Sequence, residues 1–411
     1  MTGQLRVNGG RLWERLMQLG EIGGTENGGS RRLALSDLDK EGRELVMHWT
    51  REAGMNVTID EVGNVFGRRA GRDNAQAPVM TGSHIDTQPS GGKFDGCYGV
   101  IAGLEVIQTL AELGVETNAP LELAVWTNEE GARFVPTMMG SGVFAGSISL
   151  EHAWSARDAN GFSVKQELER LGYIGNERIG EHAVGAYFEA HIEQGPVLEA
   201  EKIVIGVVTG VLGIRLINVT VSGVEAHAGP TPMDIRKDAL YAAAPVFTKI
   251  VDLGKQFGKF ARATVGEVIV LPGSRNTIPG NVRFSVDLRH LETESLQEMV
   301  EAVRAICVRA QSETGLTFEF DELQSVVPTR FDSAMVDAVR LAVSKTSHSS
   351  VDIVSGAGHD ACNMAKVAPT AMIFVPCRDG ISHNEIAWAA PEHLEAGANV
   401  LLGAMLHQAG V

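Results

Sequence analysis

The sequence predicts an α/β protein with two domains: a discontinuous one with a mixed sheet flanked by helices, and a ferredoxin-like one inserted into it. Two domains are the usual expectation for 411 residues. Strand-like and helical segments alternate in the first part of the chain, as in a sheet covered by helices. From residue 213 to residue 329 the order becomes strand, helix, strand, strand, helix, strand, which is the ferredoxin-like order. We therefore predict one domain from residues 1–212 with 330–411 and a second from residues 213–329.

The elements of the outer domain follow from capping residues and polarity. Residues 10–55 predict two helices, the second of which begins after Ser36 and ends at Gly54. The strand-like run NVTIDEVGNVFGRR follows. APVMTGSHID predicts a buried strand with polar residues at its end, GVIAGLEVIQTLAELG a helix, and APLELAVWTNEEG a strand that ends in carboxylates. Such strands deliver polar groups at their carboxyl ends, where α/β proteins bind ligands.

The inserted domain and the last part of the chain show equally clear periodicity. GIRLINVTVSG, ARATVGEVIVL, NVRFSVDLRH and LTFEFDEL predict its four strands, and IRKDALYAAAPVFTKIVDLGKQFG and ESLQEMVEAVRAICVRAQSETG predict its two helices. Beyond it, DSAMVDAVRLAVSKT and PEHLEAGANVLLGAMLHQ predict helices before and after the buried strand PTAMIFVP. A crevice between two such domains is where a binding site is expected.

Composition excludes several classes of partner. The formal net charge is −16, and no cluster of lysines and arginines suits a phosphate backbone, so we expect no nucleic-acid partner. No window approaches the ~18 apolar residues of a membrane span, and the N-terminus lacks the apolar run of a signal peptide. The four cysteines are scattered without a C-x-x-C pair, which argues against a disulfide framework or a thiolate zinc site. We expect a cytoplasmic protein with no membrane partner.

Polar groups out of keeping with their surroundings stand at predicted strand ends and in loops of the outer domain. Nitrogen and oxygen ligands without sulfur are those that Zn²⁺, Mn²⁺ or Co²⁺ use in hydrolytic sites. Any one of these groups alone could be a surface charge or a hydrogen-bonded core histidine. Together they favour a metal-dependent hydrolytic site. The groups are His84, Asp95, the pair Glu129 and Glu130, His191 and His383.

Spacing suggests roles for two pairs of these residues. Side chains two apart on a strand share a face, so the Asp86 carboxylate should accept a hydrogen bond from the far ring nitrogen of His84. The adjacent side chains of Glu129 and Glu130 should diverge. One carboxylate can then bind metal while the other moves protons, which fits metal-assisted hydrolysis.

Long motifs, in order over nearly the whole chain, resemble those of one enzyme group. They are GSHIDTQPSGGKFDG, WTNEEGARF, EAHIEQGPVLE, EAHAGPTPMDIRKDA, SRNTIPGNVRFSVDLRH, and SGAGHDACNMA followed by DGISHNE. These strongly resemble the β-ureidopropionase, N-carbamoyl-L-amino acid amidohydrolase and allantoate amidohydrolase group. That group belongs to the dinuclear metal amidohydrolases, which include aminoacylases and zinc carboxypeptidases. HIDTQPSGGKFDG, NEEGARFVPTMMGSGVFAG and GYIGNERI look closer to its β-ureidopropionase side.

The resemblance implies a site for two divalent ions, either zinc or manganese, cobalt or nickel. It also implies a cis peptide bond between Asp95 and Gly96. The implied ligands are Asp95, which would bridge both ions, His84 and His191 in one site, and Glu130 and His383 in the other.

The resemblance also assigns catalytic and substrate-binding side chains. Glu129 would be the general base, and His227 would reach in from the partner subunit of a homodimer to stabilise the oxyanion. Arg289 would bind a substrate carboxylate through its planar fork, a surface salt bridge being the alternative. Arg215 could belong to the pocket or to the hinge surface. The other implied contacts are Gln194 to the ureido group, Asn276 beside the arginine, and Gly358 with His359 along the pocket.

These assignments predict a hydrolase that cleaves N-carbamoyl-β-alanine or an N-carbamoyl-L-α-amino acid to the amino acid, CO₂ and ammonia. Closure of the inserted domain as a lid would exclude water from the site. Hydrolysis of allantoate or ureidoglycolate is the nearest alternative, followed by hydrolysis of dipeptides. A binding protein that has lost catalysis should lack the base or a ligand, and here all of them are present in the sequence.

Overall fold

A computed structural model describes residues 5–411 of the chain. Its strands are β1 (Asn56–Ile59), β2 (Val65–Arg69), β3 (Val79–His84), β4 (Leu121–Trp126), β5 (Ala186–Ile192), β6 (Ile205–Val211), β7 (Gly213–Ser222), β8 (Ala226–His227), β9 (Arg262–Leu271), β10 (Thr277–Ile278), β11 (Asn281–His290), β12 (Thr317–Val326), β13 (Thr329–Arg330), β14 (Ser350–Ser355) and β15 (Thr370–Val375). Its α-helices are α1 (Gly9–Glu21), α2 (Asp37–Glu52), α3 (Cys97–Glu112), α4 (Met139–Phe144), α5 (Leu150–Ser155), α6 (Val164–Leu171), α7 (Val197–Glu201), α8 (Ala239–Gln256), α9 (Thr293–Thr314), α10 (Ser333–Ser344), α11 (Asp360–Met364) and α12 (Pro391–Ala409). No helix among the described residues is long and apolar enough to cross a membrane.

The chain forms two compact units, Met1–Thr209 with Phe331–Val411 and Gly210–Arg330. The sheet of the first unit has the order β1-β2-β4-β3-β5-β15-β6, and β14 pairs with β6. β3 runs parallel to β4 and β5, and β5 runs parallel to β15, whereas β1, β2 and β6 join antiparallel. Helices α3, α10 and α12 pack against these strands. The predicted mixed sheet with flanking helices is therefore confirmed.

The central strands place polar side chains at one edge of this sheet. Every residue of β3, β4, β5 and β15 is buried, which is typical of strands covered on both faces. Since β3, β4 and β5 are parallel, their carboxyl ends share an edge. β3 ends at His84, β4 leads into Glu129, and His191 is the penultimate residue of β5.

Capping residues set the helix boundaries. The Ser36 side chain accepts a hydrogen bond from the Asp39 backbone N–H at 3.2 Å, and Gly54 follows α2 with a φ of +80°, as predicted. α8 begins at Ala239, later than its sequence pattern predicts. The reason is Asp238, whose side chain accepts backbone hydrogen bonds from the first turn of α8.

The second unit contains a four-stranded antiparallel sheet of order β12-β7-β11-β9. With α8 after β7 and α9 after β11, this is the predicted ferredoxin-like order. Alternate residues of β7 and β11 join residues of α8 and α9 in one apolar core that includes Val219, Phe284 and Val300. The short strands β8 and β10 pair with each other. β9 lies at the edge of the sheet.

Candidate active site

Parallel strands and loops bring the predicted metal ligands together in the first unit. His84 ends β3, Glu130 follows β4 and His191 lies in β5, while Asp95 and His383 lie in loops. The Nε2 atom of His191 is 3.3 Å from Asp95 Oδ1. The Nε2 atom of His383 is 3.6 Å from Asp95 Oδ2 and 3.4 Å from Glu130 Oε2.

These side chains form two groups of three possible metal ligands that share Asp95. Within each group the ligand atoms lie within 4.8 Å of one another. Asp95 directs one carboxylate oxygen towards each group. The donors are nitrogen and oxygen atoms only, so they fit Zn²⁺, Mn²⁺, Co²⁺ or Ni²⁺. The first group is His84, Asp95 and His191, all buried, and the second is Asp95, Glu130 and the exposed His383.

Main-chain carbonyls orient two of the imidazoles for metal binding. His84 Nδ1 lies 2.9 Å from the Asp86 carbonyl oxygen, and His191 Nδ1 lies 2.9 Å from the Ile192 carbonyl oxygen. A carbonyl can only accept, so each Nδ1 carries the proton and each Nε2 is free to act as a ligand. The Gly96 N–H donates to His191 Nε2 at 3.1 Å, which agrees with this tautomer. Burial lowers the pKa of His84 to about 4 and favours the neutral, ligating form.

The predicted hydrogen bond from His84 to the Asp86 carboxylate is wrong. The Asp86 carboxylate lies 3.7 Å from Nδ1 of His84, and it accepts instead from the backbone N–H groups of Glu129 and Glu130, each at 3.2 Å. The alternation of side chains stops because β3 ends at His84. Asp86 therefore fixes the backbone that follows β4.

The predicted cis peptide bond between Asp95 and Gly96 is also wrong. Within residues 5–411, the cis bonds are Val135–Pro136 and Leu271–Pro272. Gly96 instead has φ +64° and ψ −48°, and the Cys97 N–H donates to the Asp95 carbonyl oxygen at 2.6 Å. These values describe a γ-turn, which reverses the chain directly before α3. A Cβ at this position would collide with the His84 imidazole, so the turn requires glycine.

Glu129 and Glu130 diverge as predicted. Glu130 faces His383, and its Oε2 accepts a hydrogen bond from Gln88 Nε2 at 2.8 Å. Glu129 belongs to neither ligand group, and its Oε2 lies 3.5 Å from His84 Nε2. The Glu129 carbonyl oxygen accepts from the Met138 N–H at 2.7 Å. Glu130 thus belongs to a group of possible metal ligands, and Glu129 lies beside the ligand groups and outside both.

Burial gives the carboxyl groups unusual acidities. Burial raises the pKa of Glu129 well above its usual value, and the charges of Asp360 and Glu130 raise it further. Burial and the charge of Asp95 raise the pKa of Glu130 to about 9. For Asp95, burial favours a higher pKa, but the hydrogen bond and charge of His191 and the other imidazoles hold it below its usual value. A cation among these groups would offset the repulsion between the carboxylates.

Glu189 is a buried carboxylate behind the site that was not among the predicted site residues. Glu189, His191 and His359 form a third group that could hold a metal. However, Glu189 already accepts hydrogen bonds from Ser83 Oγ at 2.8 Å and from the Ala361 N–H at 2.9 Å. These donors support a structural role for Glu189. Its position two residues before His191, on the same face of β5, was a signal in the sequence.

Three predicted substrate contacts border the ligand groups. Gln194, predicted to bind the ureido group, donates from Nε2 to Asp95 Oδ2 at 2.8 Å, and its Oε1 is buried without a hydrogen-bond partner. Gln194 has a φ of +57°, so its backbone is strained. The buried imidazole of His359 packs edge-on against His191 with 4.5 Å between ring centroids. Gly358, the residue before His359, is exposed.

His227 and Asn276 lie together in the second unit. His227 in β8 pairs with β10, and the Ala228 N–H donates to the Asn276 carbonyl oxygen at 2.8 Å. The side chains of His227 and Asn276 belong to exposed residues. Both are thus displayed on one ribbon of this unit, available to a ligand or to a second chain.

The two arginines of the second unit have acidic neighbours. Arg289 in β11 binds Asp287 through Nε at 3.0 Å and Nη2 at 2.8 Å. The hydrogen bond with Asp287 raises the pKa of Arg289 and outweighs burial, which would lower it. Arg215 is buried, and its Nε lies 3.2 Å from Glu322 Oε1. A role of Arg215 in the pocket or at the hinge surface stays a prediction.

Comparison with known proteins identifies relatives of the whole chain. Residues 80–407 match the model of peptidase family M20/M25/M40. The N-carbamoyl-L-amino-acid amidohydrolase of Rhizobium meliloti is 44% identical, covering 99% of this chain and 98% of that protein. The allantoate amidohydrolase of Bacillus subtilis is 33% identical over 93% of each chain. A solved amidase of the hydantoinase/carbamoylase family from Burkholderia multivorans is 52% identical, with a TM-score of 0.97 and coverage of 99% of each chain.

These matches confirm the resemblance carried by the motifs, and they agree with the nitrogen and oxygen ligand groups at the sheet edge. The family model covers most of the chain, and the Rhizobium relative extends the match across nearly all of it. The chain belongs to peptidase family M20/M25/M40, a family of metal-dependent hydrolases.

Proposed function

We propose that the protein hydrolyses N-carbamoyl-L-amino acids to the amino acid, CO₂ and ammonia. The observation that carries this proposal is the pair of ligand groups joined by Asp95, with Glu129 beside them but outside both. The Rhizobium meliloti relative is named for this activity, which favours L-α-amino acids over β-alanine. Allantoate is the second candidate, because the Bacillus subtilis relative is named for that substrate.

Two divalent cations, Zn²⁺ or else Mn²⁺, Co²⁺ or Ni²⁺, would be held by the two ligand groups. Such cations lower the pKa of water and polarise the carbonyl that is attacked. Glu129 would accept a proton from the attacking water and return it to the leaving nitrogen. Its backbone is fixed for this task by Asp86 and Met138, which bind its N–H and its carbonyl.

Ammonia release by the metal-loaded protein tests the proposed function. The substrates to compare are N-carbamoyl-L-methionine, N-carbamoyl-β-alanine, allantoate and an unblocked dipeptide, the last assayed for free amino acid. We expect the highest kcat/KM with N-carbamoyl-L-methionine. Preference for allantoate would replace the proposal with its second candidate, and cleavage of the dipeptide alone would indicate a peptidase.

Arg289 is proposed to bind the substrate carboxylate. Arg289→Ala should raise KM about 10- to 100-fold, because a hydrogen bond to a charged group contributes about 1.5–3 kcal/mol. Metal content should not change. Arg283→Ala is the matched control, since Arg283 lies on the same strand and is exposed. An unchanged KM for Arg289→Ala would remove Arg289 from the substrate site.

We propose that the edge strand β9 forms a homodimer contact. β9 carries the exposed side chains Val268, Ile269 and Leu271. The backbone of an edge strand offers unpaired N–H and C=O groups to a second chain. The neighbouring helix α8 exposes Tyr241 and Val251. Two copies of β9 related by a twofold axis would cover this apolar surface.

Mixed dimers test whether His227 acts across the subunit boundary. His227→Ala and Glu129→Gln are each expected to be inactive as pure dimers. A randomly exchanged equal mixture should recover about a quarter of wild-type activity, because half the dimers are mixed and each mixed dimer has one intact site. Steady-state ammonia release before and after subunit exchange measures this recovery. A mixture that stays inactive, although light scattering shows dimers, would place His227 in its own subunit's site.

A further inference from the structure

Met138 has a backbone conformation that is unfavourable for its side chain. It has φ +49° and ψ +39°, the left-handed region, directly before α4. A bulky residue in this region is strained, and such strain persists only where the surroundings fix it. The Met138 N–H donates to the Glu129 carbonyl oxygen at 2.7 Å, and its carbonyl oxygen accepts from the Gly142 N–H at 2.9 Å. The strained residue is therefore tied directly to the proposed general base.

The Met138 side chain packs against Gly358, the residue before His359. A Cβ added to Gly358 would approach Met138 Cε to 3.3 Å and Sδ to 3.4 Å, so the thioether covers this glycine. Gly358 is exposed and Met138 is half-buried. His359, which follows Gly358, packs against the imidazole of His191. Met138 thus contacts the proposed general base through its backbone and the exposed Gly358, next to His359, through its thioether.

The backbone alone does not account for methionine at this position. Glycine would adopt the left-handed conformation without steric cost, whereas Met138 bears that cost and places an apolar side chain over Gly358. A thioether on three rotatable bonds is adaptable and packs against apolar groups of different shapes. The absence of a side chain at Gly358 lets the thioether pack directly against the backbone of this glycine.

We infer that Met138 is a specificity-determining residue that contacts the side chain of the amino-acid part of the substrate. This inference rests on the proposed function, because it places the apolar side chain of the N-carbamoyl amino acid against Met138 and Gly358. Because Gly358 has no side chain, the thioether can lie over this glycine and bound the space for that apolar group. An apolar thioether of this kind discriminates between substrates by the size of their side chains and not by their charge.

The test compares kcat/KM for N-carbamoyl-L-alanine, N-carbamoyl-L-methionine and N-carbamoyl-L-phenylalanine. Met138→Gly removes the apolar side chain and also relieves the backbone strain. It should raise the ratio of kcat/KM for N-carbamoyl-L-phenylalanine to kcat/KM for N-carbamoyl-L-alanine by about 10-fold or more. Small changes in an apolar pocket discriminate between substrates by about 10- to 200-fold. Gly358→Ala should shift the ratio in the opposite direction, since the new methyl group restricts the thioether. Met138→Leu, which keeps the apolar volume, is the matched control and should keep the wild-type ratio.

Binding gives a second readout that does not depend on turnover. The Kd values of the same three compounds are measured by calorimetry in metal-loaded Glu129→Gln protein. Adding Met138→Gly should strengthen binding of the phenylalanine compound relative to the alanine compound, as it does for kcat/KM. Equal losses of kcat for all three substrates, with unchanged ratios and Kd values, would overturn the inference and make Met138 a positioning residue for Glu129. A wild-type protein that turns over none of the carbamoyl compounds would instead overturn the proposed function, and the inference with it.

Discussion

Asp95→Asn is expected to release bound metal and to abolish ammonia release. Asp95 belongs to both ligand groups, so the substitution removes an anionic ligand from each of them. Loss of a partner behind a metal ligand already costs about 10- to 100-fold in metal affinity or activity. Loss of the shared ligand should cost more than that. Metal analysis by mass spectrometry after dialysis and ammonia release from N-carbamoyl-L-methionine measure the two effects.

Glu189→Gln is the matched control for Asp95→Asn. It also neutralises a buried carboxylate, but that carboxylate accepts hydrogen bonds from Ser83 and Ala361. We therefore expect Glu189→Gln to retain its metal content. If Asp95→Asn kept two metals per chain, the shared carboxylate would not be a bridging ligand. If Glu189→Gln lost metal, the third group would have to be counted as a cation site.

The ends of the central strands could be predicted from the sequence because burial and polarity change there together. The apolar run before His84 and the run before Glu129 read as buried strands, and both predictions are confirmed. Parallel strands meet at one edge, so polar groups distant in the sequence come together there. The divergence of Glu129 and Glu130 followed from their adjacency alone.

The details that the sequence did not predict depend on backbone geometry and on distant donors. The alternation that paired His84 with Asp86 holds only within a strand, and the strand ends at His84. The γ-turn at Gly96 depends on how closely the chain approaches the His84 imidazole. The role of Glu189 depends on donors from β3 and from the start of α11. Those donors lie more than a hundred residues away in the chain, so no local pattern could reveal them.

The partners of the arginines differ in how far they could have been predicted. Asp287 lies two residues before Arg289 on the same strand, so this pair follows from the alternation of side chains. The pair of Arg215 with Glu322 joins β7 to β12 next to a register shift between Glu322 and Gln324. A one-residue irregularity of this kind changes which side chains meet, and the sequence pattern does not locate it.

Glu129→Gln should lower kcat by about 100- to 10,000-fold, the usual contribution of a general acid–base group. Glutamine keeps the size of the side chain and both backbone hydrogen bonds, in which the N–H of residue 129 donates to Asp86 and its carbonyl oxygen accepts from Met138. Because Glu129 belongs to neither ligand group, metal content and the Kd for substrate should stay close to those of the wild type. Single-turnover ammonia release, together with metal analysis, separates these quantities.

Glu130→Gln should give the opposite result, although the two residues are adjacent. Glu130 belongs to the second ligand group, so its substitution should lower metal content, and excess metal should restore part of the activity. Added metal should not rescue Glu129→Gln, because that variant lacks a proton acceptor and not a ligand. Recovery of both variants by metal would make Glu129 a ligand as well. Near-normal turnover by metal-loaded Glu129→Gln would mean that another group takes the proton from water.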